Sequence, residues 1–312
     1  MVCSYDELPI LDVEFDLLHP FQSAQEVVQR LWPFLGEDVR CFQALHHDDV
    51  HVVEGGITNK LFRVCMAKTA GGNVPRSVLL RVFGDGGMID RVAETKCFVE
   101  LWEAGLGPKC YGRFKNGRIE EYYEDVKTLT CDDLSEETIS RAIAEQLAKT
   151  HKTMKLPQDS SRPTLFTQMR QWLVQARGSH DDMVSLEPDF DISLKWLEER
   201  IAEVERSIQD SFAVVFCHND LLAANILQEL ADGKLHFIDF EYGGANYSAF
   251  DIANHFNEWA GGTDTGRPDY SKFPTEQQMA RFCSHYLREL HGSDKVESEV
   301  AGLLQEVKIF LS

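Results

Sequence analysis

The hydrophobic period of this chain changes part-way along it, and with it the kind of element the chain can build. From about residue 39 to residue 83 apolar residues gather in short runs, VRCFQAL, HVVEGGITNKLFRVCMA and SVLLRVFG, broken by Gly-Gly and by TAGGNVPR. Runs of that length and punctuation predict an antiparallel meander of strands. Residues 89–104 then carry Val92, Phe98, Leu101 and Trp102 at helical spacing and stop at Gly105, so one helix is predicted beside that sheet. KCYGRF and RIEEYYE follow, separated by Asn116-Gly117, a dipeptide that predicts a hairpin turn. Beyond about residue 130 the period is helical. The segment SEETISRAIAEQLAKTHKTM, with Ser135 read as its N-cap, repeats Ile139, Ile143 and Leu147 every fourth residue. Residues 165–178 and 189–209 read as further amphipathic helices. The order predicts an α+β chain of two lobes around a cleft. Residues 1–38 form an N-terminal extension and helix, 39–120 a strand-rich lobe and 121–312 a mostly helical lobe.

Charge narrows the partners. With 31 Lys+Arg against 51 Asp+Glu the net charge is -20, a field that repels a phosphate backbone and favours small cationic ligands. Nucleic acid is excluded as an expected partner. Eight cysteines are scattered without a C-x-x-C pair, so neither a zinc site nor a dithiol motif is written here and free thiols in a reducing compartment are expected. The N-terminus lacks the basic-then-apolar plan of a signal peptide, and no run approaches the roughly 18 to 20 apolar residues of a membrane span. These features predict a cytoplasmic protein.

The chemistry concentrates in VVFCHNDLLAANILQELADGKLHFIDFEY, residues 214–242. An apolar strand delivers His218, Asn219 and Asp220; Asn225 leads into a second strand; Asp232-Gly233 turns the chain back to Asp239. Taken singly, Asp220 fits a turn and Asp239 a solvated strand end. Held together by a hairpin, Asp220, Asn225 and Asp239 are the set that phosphoryl transfer needs: one carboxylate to receive the hydroxyl proton, and a carboxylate with an amide oxygen for magnesium. After it, FDIANHFNEW places Asp251, Asn254, His255 and Glu258 on one helical stripe and Ile252, Phe256 and Trp259 on another.

The H-N-D-x4-N segment resembles the signature shared by aminoglycoside phosphotransferases and choline kinases, and IDFEYGGANYSAFDIANHFNEW (238–259) is similar, almost residue for residue, to the choline/ethanolamine kinase signature. Weaker similarity runs from about Val39 to the C-terminus. The resemblance implies a protein-kinase-like fold, ATP and Mg2+ as cofactors, and phosphorylation of a small amino alcohol on the way to phospholipid. It implies Asp220 as catalytic base with His218 beside it, Asn225 and Asp239 as magnesium ligands with Glu241 close to the metal, and an alcohol pocket lined by Asp251, Asn254, Glu258 and Trp259. There Glu258 attracts the ammonium and Asp251 braces the catalytic loop. In the first lobe GGITNK resembles the family's phosphate loop, through Gly55, Gly56, Thr58 and Asn59. Arg81 resembles the basic residue that grips ATP phosphates, Glu94 the acid paired with it, and Tyr122 and Tyr123 are the adenine candidates. His151 and the pair His46-His47 are assigned to structure or surface.

A quaternary ammonium is held by aromatic faces, whereas a primary ammonium wants carboxylates and carbonyls. Glu258, Asp264 and Trp259 suit either. HNDLL, FNEWAGG and DYSKFP look more like ethanolamine kinases than animal choline kinases, so ethanolamine is the expected substrate and choline the alternative; a homodimer is left open. A pseudokinase-like binding protein is the reading from another class, and it would have lost one of Asp220, Asn225 or Asp239. Residues 294–312 read as a helix ending in Ile309, Phe310 and Leu311 without a cap. Chains resembling this one continue further, which predicts a truncated or variant chain with an exposed apolar end.

Overall fold

The computed structural model describes residues 4–38, 42–53, 59–66, 74–84, 91–156, 162–178, 185–187, 192–262, 266–293 and 296–311. Two compact units, Met1–Val126 and Lys127–Ser312, divide the chain.

The first unit holds β1 (Ile10–Leu11), α1 (Pro20–Leu31), β2 (Val50–Val53), β3 (Asn59–Cys65), β4 (Ser77–Phe83), α2 (Arg91–Glu103), β5 (Cys110–Phe114) and β6 (Gly117–Glu121). Its sheet runs β1-β5-β6-β4-β3-β2. β2, β3 and β4 form the expected antiparallel meander, and β6 joins it antiparallel to β4. Alternation sends Phe62 and Val64 of β3 and Val78, Leu80 and Val82 of β4 into one core with Val27, Val28 and Leu31 of α1. Pro20 at the first turn of α1 pre-sets the helical φ there. The N-terminal segment is part of this core: Leu11, Val13 and Phe15 are buried in it, and β1 pairs parallel with β5.

Two local expectations differ from the structure. The described part of VRCFQAL, residues 42–45, forms no strand; Phe42 packs edge-on against Trp32 at 5.3 Å and Leu45 is buried in the core, so these apolar residues dock a connecting segment. The hairpin expected at Asn116-Gly117 turns one residue earlier, through Lys115 and Asn116, while Gly117 opens β6 opposite Phe114 and has no positive φ. Gly117 is demanded by space instead, since a Cβ there would lie 2.2 Å from the Arg81 carbonyl oxygen and from the Phe114 ring. The Asn116 amide reaches back to the Phe15 backbone, accepting from its N–H at 2.8 Å and donating to its carbonyl at 2.9 Å.

The second unit follows β7 (Val126–Thr128) with α3 (Cys131–Leu134), α4 (Glu137–Thr153), α5 (Leu165–Arg177), β8 (Ser185–Glu187), β9 (Ile192–Ser193), α6 (Leu194–Ser207), β10 (Val214–Cys217), β11 (Ile226–Glu229), β12 (Leu235–Phe237), β13 (Gly244–Tyr247), α7 (Ser248–Glu258), α8 (Glu276–His291) and α9 (Glu297–Phe310). Ile139, Ile143 and Leu147 of α4 are buried as their spacing predicts, and α4 packs on α8. Ser135 is not the N-cap of α4. A Thr130–Asp133 capping box starts α3 first, Ser135 closes that short helix with its hydroxyl on the Asp132 carbonyl, and Glu136 takes the N-cap position. Nor does α9 end in an exposed stripe: Phe310 is half-buried against Tyr247, Phe250 and Phe212, at 5.7, 5.8 and 6.3 Å. Among the described residues the six cysteines are free, and no helix is long and apolar enough to cross a membrane.

Candidate active site

Strand β10 pairs antiparallel with β13 and ends at Cys217, so the next three residues, His218, Asn219 and Asp220, leave the sheet as a loop. The β11–β12 hairpin, turned by Gly233 at φ +78°, carries Asn225 at its entry and delivers Asp239 at its exit; the Ile238 N–H donates to the Asn225 carbonyl at 3.0 Å. Asn225 also donates from its side-chain amide to the Asp220 carbonyl at 2.8 Å. The predicted trio is thereby brought together by hydrogen bonds of the chain itself.

The loop is held open from behind by α7. Asp251, fully buried, accepts from the N–H of His218 and of Asn219, both at 2.8 Å, and from His151 Nε2 at 3.0 Å. Asn254 donates to the Asn219 carbonyl at 3.3 Å, and His255 Nδ1 lies 3.3 Å from that of Leu221. The polar stripe of α7 therefore faces the loop, and Asp251 braces it. Asn219 takes a left-handed φ of +65°, a conformation that costs a non-glycine residue energy unless its neighbours impose it. Here they do: its amide donates to the Tyr242 carbonyl at 2.8 Å and accepts from Asn246 at 2.7 Å. Asp239 is likewise left-handed, at φ +63°.

His218, grouped with the catalytic residues from sequence, is fully buried with both ring nitrogens engaged. Nε2–H donates to the Ile238 carbonyl at 2.9 Å and Nδ1 accepts from the Asp220 N–H at 3.3 Å. Burial lowers its pKa, so the ring stays neutral and positions the loop. His151 is structural, as read, but its structure is that of the site: it continues the buried Ile139–Ile143–Leu147 series by one more turn, and its Nδ1 lies 2.8 Å from the Tyr286 hydroxyl. A histidine on an apolar helical face was the available signal. Tyr286 and Asn246 carried none.

Electrostatics mark two carboxyls. Asp220 is pushed up to about 6, first by burial and then by the charges of Asp239 and Glu241. Glu258 is pushed up to about 7, by burial and then by Asp220. Carboxylates that crowd Asp220 and raise it in this way are a set that a hard divalent cation would relieve. Asn225 fits the same set, because its NH2 is spent on Asp220 and the oxygen is what it can offer a metal. A second group, His151, Cys217 and Asp251, brings ligand atoms within 4.8 Å. Asp251 there already accepts three hydrogen bonds, and burial holds the Cys217 thiol well above its usual range, so the trio is a hydrogen-bond core.

The family profile described as choline/ethanolamine kinase matches residues 50–312. The chain belongs to the choline/ethanolamine kinase family. It is 34% identical over 261 residues to mouse ethanolamine kinase 2, covering 82% of this chain and 64% of that protein, so it spans just under two thirds of that relative's length. It is 30% identical over 289 residues to probable choline kinase 3 of Arabidopsis thaliana, covering 91% of this chain and 80% of that one. The solved ethanolamine kinase of Plasmodium vivax superposes with a TM-score of 0.70 at 26% identity, over 93% of this chain and 80% of the other. The fold is the two-lobed, protein-kinase-like α+β fold expected from the sequence.

Of the other positions that the family resemblance singled out, Gly55, Gly56, Thr58 and Asp264 lie outside the described residues. Asn59 opens β3 and is buried. Arg81, on β4, is buried with its Nε donating to Glu120 at 2.6 Å. Glu94 enters the same network one step away: it accepts from Arg118 at 2.9 Å and Arg91 at 2.8 Å, while Arg118 also donates to Glu120 at 2.7 Å. Glu120, which sequence reasoning missed, is thus an acid on Arg81. A charge inside a β-strand reads as solvent-facing until the sheet is covered. Tyr122 and Tyr123 are half-buried past the end of β6, and the Arg63 guanidinium sits 4.6 Å over the Tyr122 ring. Trp259 is only 2% exposed.

Proposed function

We propose that the chain is an ATP-dependent phosphotransferase that phosphorylates the hydroxyl of ethanolamine, with choline as the alternative acceptor. The observation that carries this reading is the Asp251-braced loop, which presents Asp220 beside Asn225, Asp239 and Glu241 with its carboxyl held near 6. In this role Asp220 accepts the hydrogen bond of the substrate hydroxyl and orients its oxygen; a loose phosphoryl transition state asks for positioning and charge neutralisation more than for a strong base. Asn225 and Asp239, with Glu241 beside them, would hold magnesium, which when bound neutralises charge on the phosphates. Asn59 and Arg81, with Gly55, Gly56 and Thr58, are assigned to the nucleotide phosphates, and Tyr122 and Tyr123 to the adenine. Glu120 keeps the Arg81 guanidinium in place, and Glu94 holds Arg118 in the same network.

Glu258 carries the choice of acceptor. Its half-buried carboxyl is costly to ionise beside Asp220, and a bound ammonium offsets that cost by charge and by N–H donation. Trp259 offers no open ring face to a quaternary ammonium, because it is buried. A carboxylate without an exposed aromatic beside it on α7 favours the primary amine. The test is steady-state phosphorylation by the purified chain with Mg-ATP and ethanolamine or choline. A higher kcat/KM for ethanolamine is expected. A higher value for choline would select the alternative, and turnover of neither would overturn the proposal.

A further inference from the structure

Within the first unit a cavity of about 510 Å³ opens between β1, the ends of β4 and β5, and the first turn of α2. None of the described residues assigned above to the nucleotide lines it. Its walls are apolar, with Ile10, Phe83 and Phe114, yet among the described residues three cations border it, Arg91, Arg113 and Lys115, against one carboxylate, Asp12. Asp12 is spent on Lys115 at 2.8 Å, both of them exposed. The two guanidiniums are held by aromatic faces: Arg91 lies 5.0 Å over Phe83 and Arg113 lies 3.8 Å over Tyr5. Arg91 gives Nη1 to Glu94, and Arg113 gives Nη2 to the Tyr5 carbonyl at 3.4 Å. Stacking leaves the remaining donors short of acceptors. Among the described residues, Arg91 Nε and Nη2 and Arg113 Nε are buried without a hydrogen-bond partner.

Those nitrogens are covered and have no surface in the cavity, so what Arg91, Arg113 and Lys115 offer a ligand there is positive charge beside apolar walls, which an anion in the cavity would balance. The rest of the chain does not explain the cluster, because a net charge of -20 makes any surplus of cations around an apolar cavity a local feature. The volume is in the range of small-molecule sites, whose usual plan is apolar walls with a few polar groups that fix orientation. We propose that this cavity binds an anion bearing an apolar tail, its phosphate or carboxylate head on Arg91 and Arg113 and its tail against Ile10, Phe83 and Phe114. A bare anion would balance the charge but leave the walls wet; a neutral amphiphile would cover the walls but leave the charge unbalanced. This site is independent of the function proposed above.

The probe is octyl phosphate, titrated calorimetrically into the full chain below its micellar range, with inorganic phosphate and 1-octanol as separate titrants. Saturable one-to-one binding of octyl phosphate is expected, at least about tenfold tighter than inorganic phosphate, with octanol weaker still. Val92 lines the cavity and is 52% exposed on α2, so it accepts a charge without loss of folding. Val92→Glu is expected to weaken octyl phosphate by about tenfold or more through repulsion, and Val92→Lys to retain or tighten it. Absence of saturable binding, equal affinity for octanol, or equal affinity in Val92→Glu and Val92→Lys overturns the proposal. Inorganic phosphate binding as tightly as octyl phosphate overturns the tail.

Discussion

Replacing Asp251 by Asn keeps the shape of the side chain and removes the charge that three donors share. At best the new amide oxygen stands where Oδ2 was and keeps the bonds from His218 N and His151 Nε2. The NH2 then faces the Asn219 N–H, which loses its acceptor and meets a donor. One hydrogen bond to a charged group is lost, at about 1.5 to 3 kcal/mol, and the two that survive fall from charged to neutral strength. With complete burial the total is about 3 to 5 kcal/mol. The released N–H groups belong to the residues that place Asp220, so kcat should fall about a hundredfold or more, as misplacement by an ångström does elsewhere. Urea unfolding followed by tryptophan fluorescence reads the first effect and initial rates with Mg-ATP the second. Burial works to raise the Asp251 pKa, but the hydrogen bond and charge of His151 outweigh it and leave it below its ordinary value. Its contribution is therefore present above the ordinary aspartate range and is lost only as pH falls through the lowered value in acid, so the gap between wild type and variant should be constant from pH 6 to pH 8. A variant within about 1 kcal/mol of wild type that keeps its rate would show that the carboxylate does not brace the loop.

Asp220→Ala and Asp239→Ala should each lower turnover by about a thousandfold or more in the same assay. Asp220→Asn should be inactive yet no less stable at pH 7.5, because the raised Asp220 pKa means that the folded state carries a cost there that is relieved as pH falls through about 6; a lowered unfolding midpoint would contradict this. Glu258→Gln should raise the KM for ethanolamine by about ten- to a hundredfold and leave that for ATP nearly unchanged. In the wild type kcat/KM for ethanolamine should decline as pH is lowered through about 7, where Glu258 takes up a proton, and the decline should be blunted in Glu258→Gln; parallel pH profiles would remove Glu258 from ammonium binding.

The elements legible in the sequence are those set by short-range chemistry. The β2–β3–β4 meander follows from runs and breaks, the buried faces of α4 and α7 from period, and the hairpin that gathers Asp220, Asn225 and Asp239 from Asp232-Gly233 and two flanking apolar strands. Neighbouring residues also displaced an expectation, when the Thr130–Asp133 box took Ser135 into the end of α3. Family membership, too, was written in residues 238–259, because so many of them hold one loop and leave few substitutions. What pattern could not supply is which distant surface a residue meets. His151 joins Asp251 across 100 residues and Asn116 joins Phe15 across 101; Glu120 is an ion-pair partner inside a covered sheet; Phe310 finds three aromatic rings at the end of a helix that alone looks unfinished. Sequence by itself determined the set Asp220, Asn225 and Asp239 and the local turns that bring them near one another, because hydrogen-bonded turns and amphipathic periods act over a few residues. Only the tertiary structure decided which charges are buried, which nitrogens hold the loop and which carboxyls are pushed toward neutrality, because burial and the field at a group depend on every element packed around it.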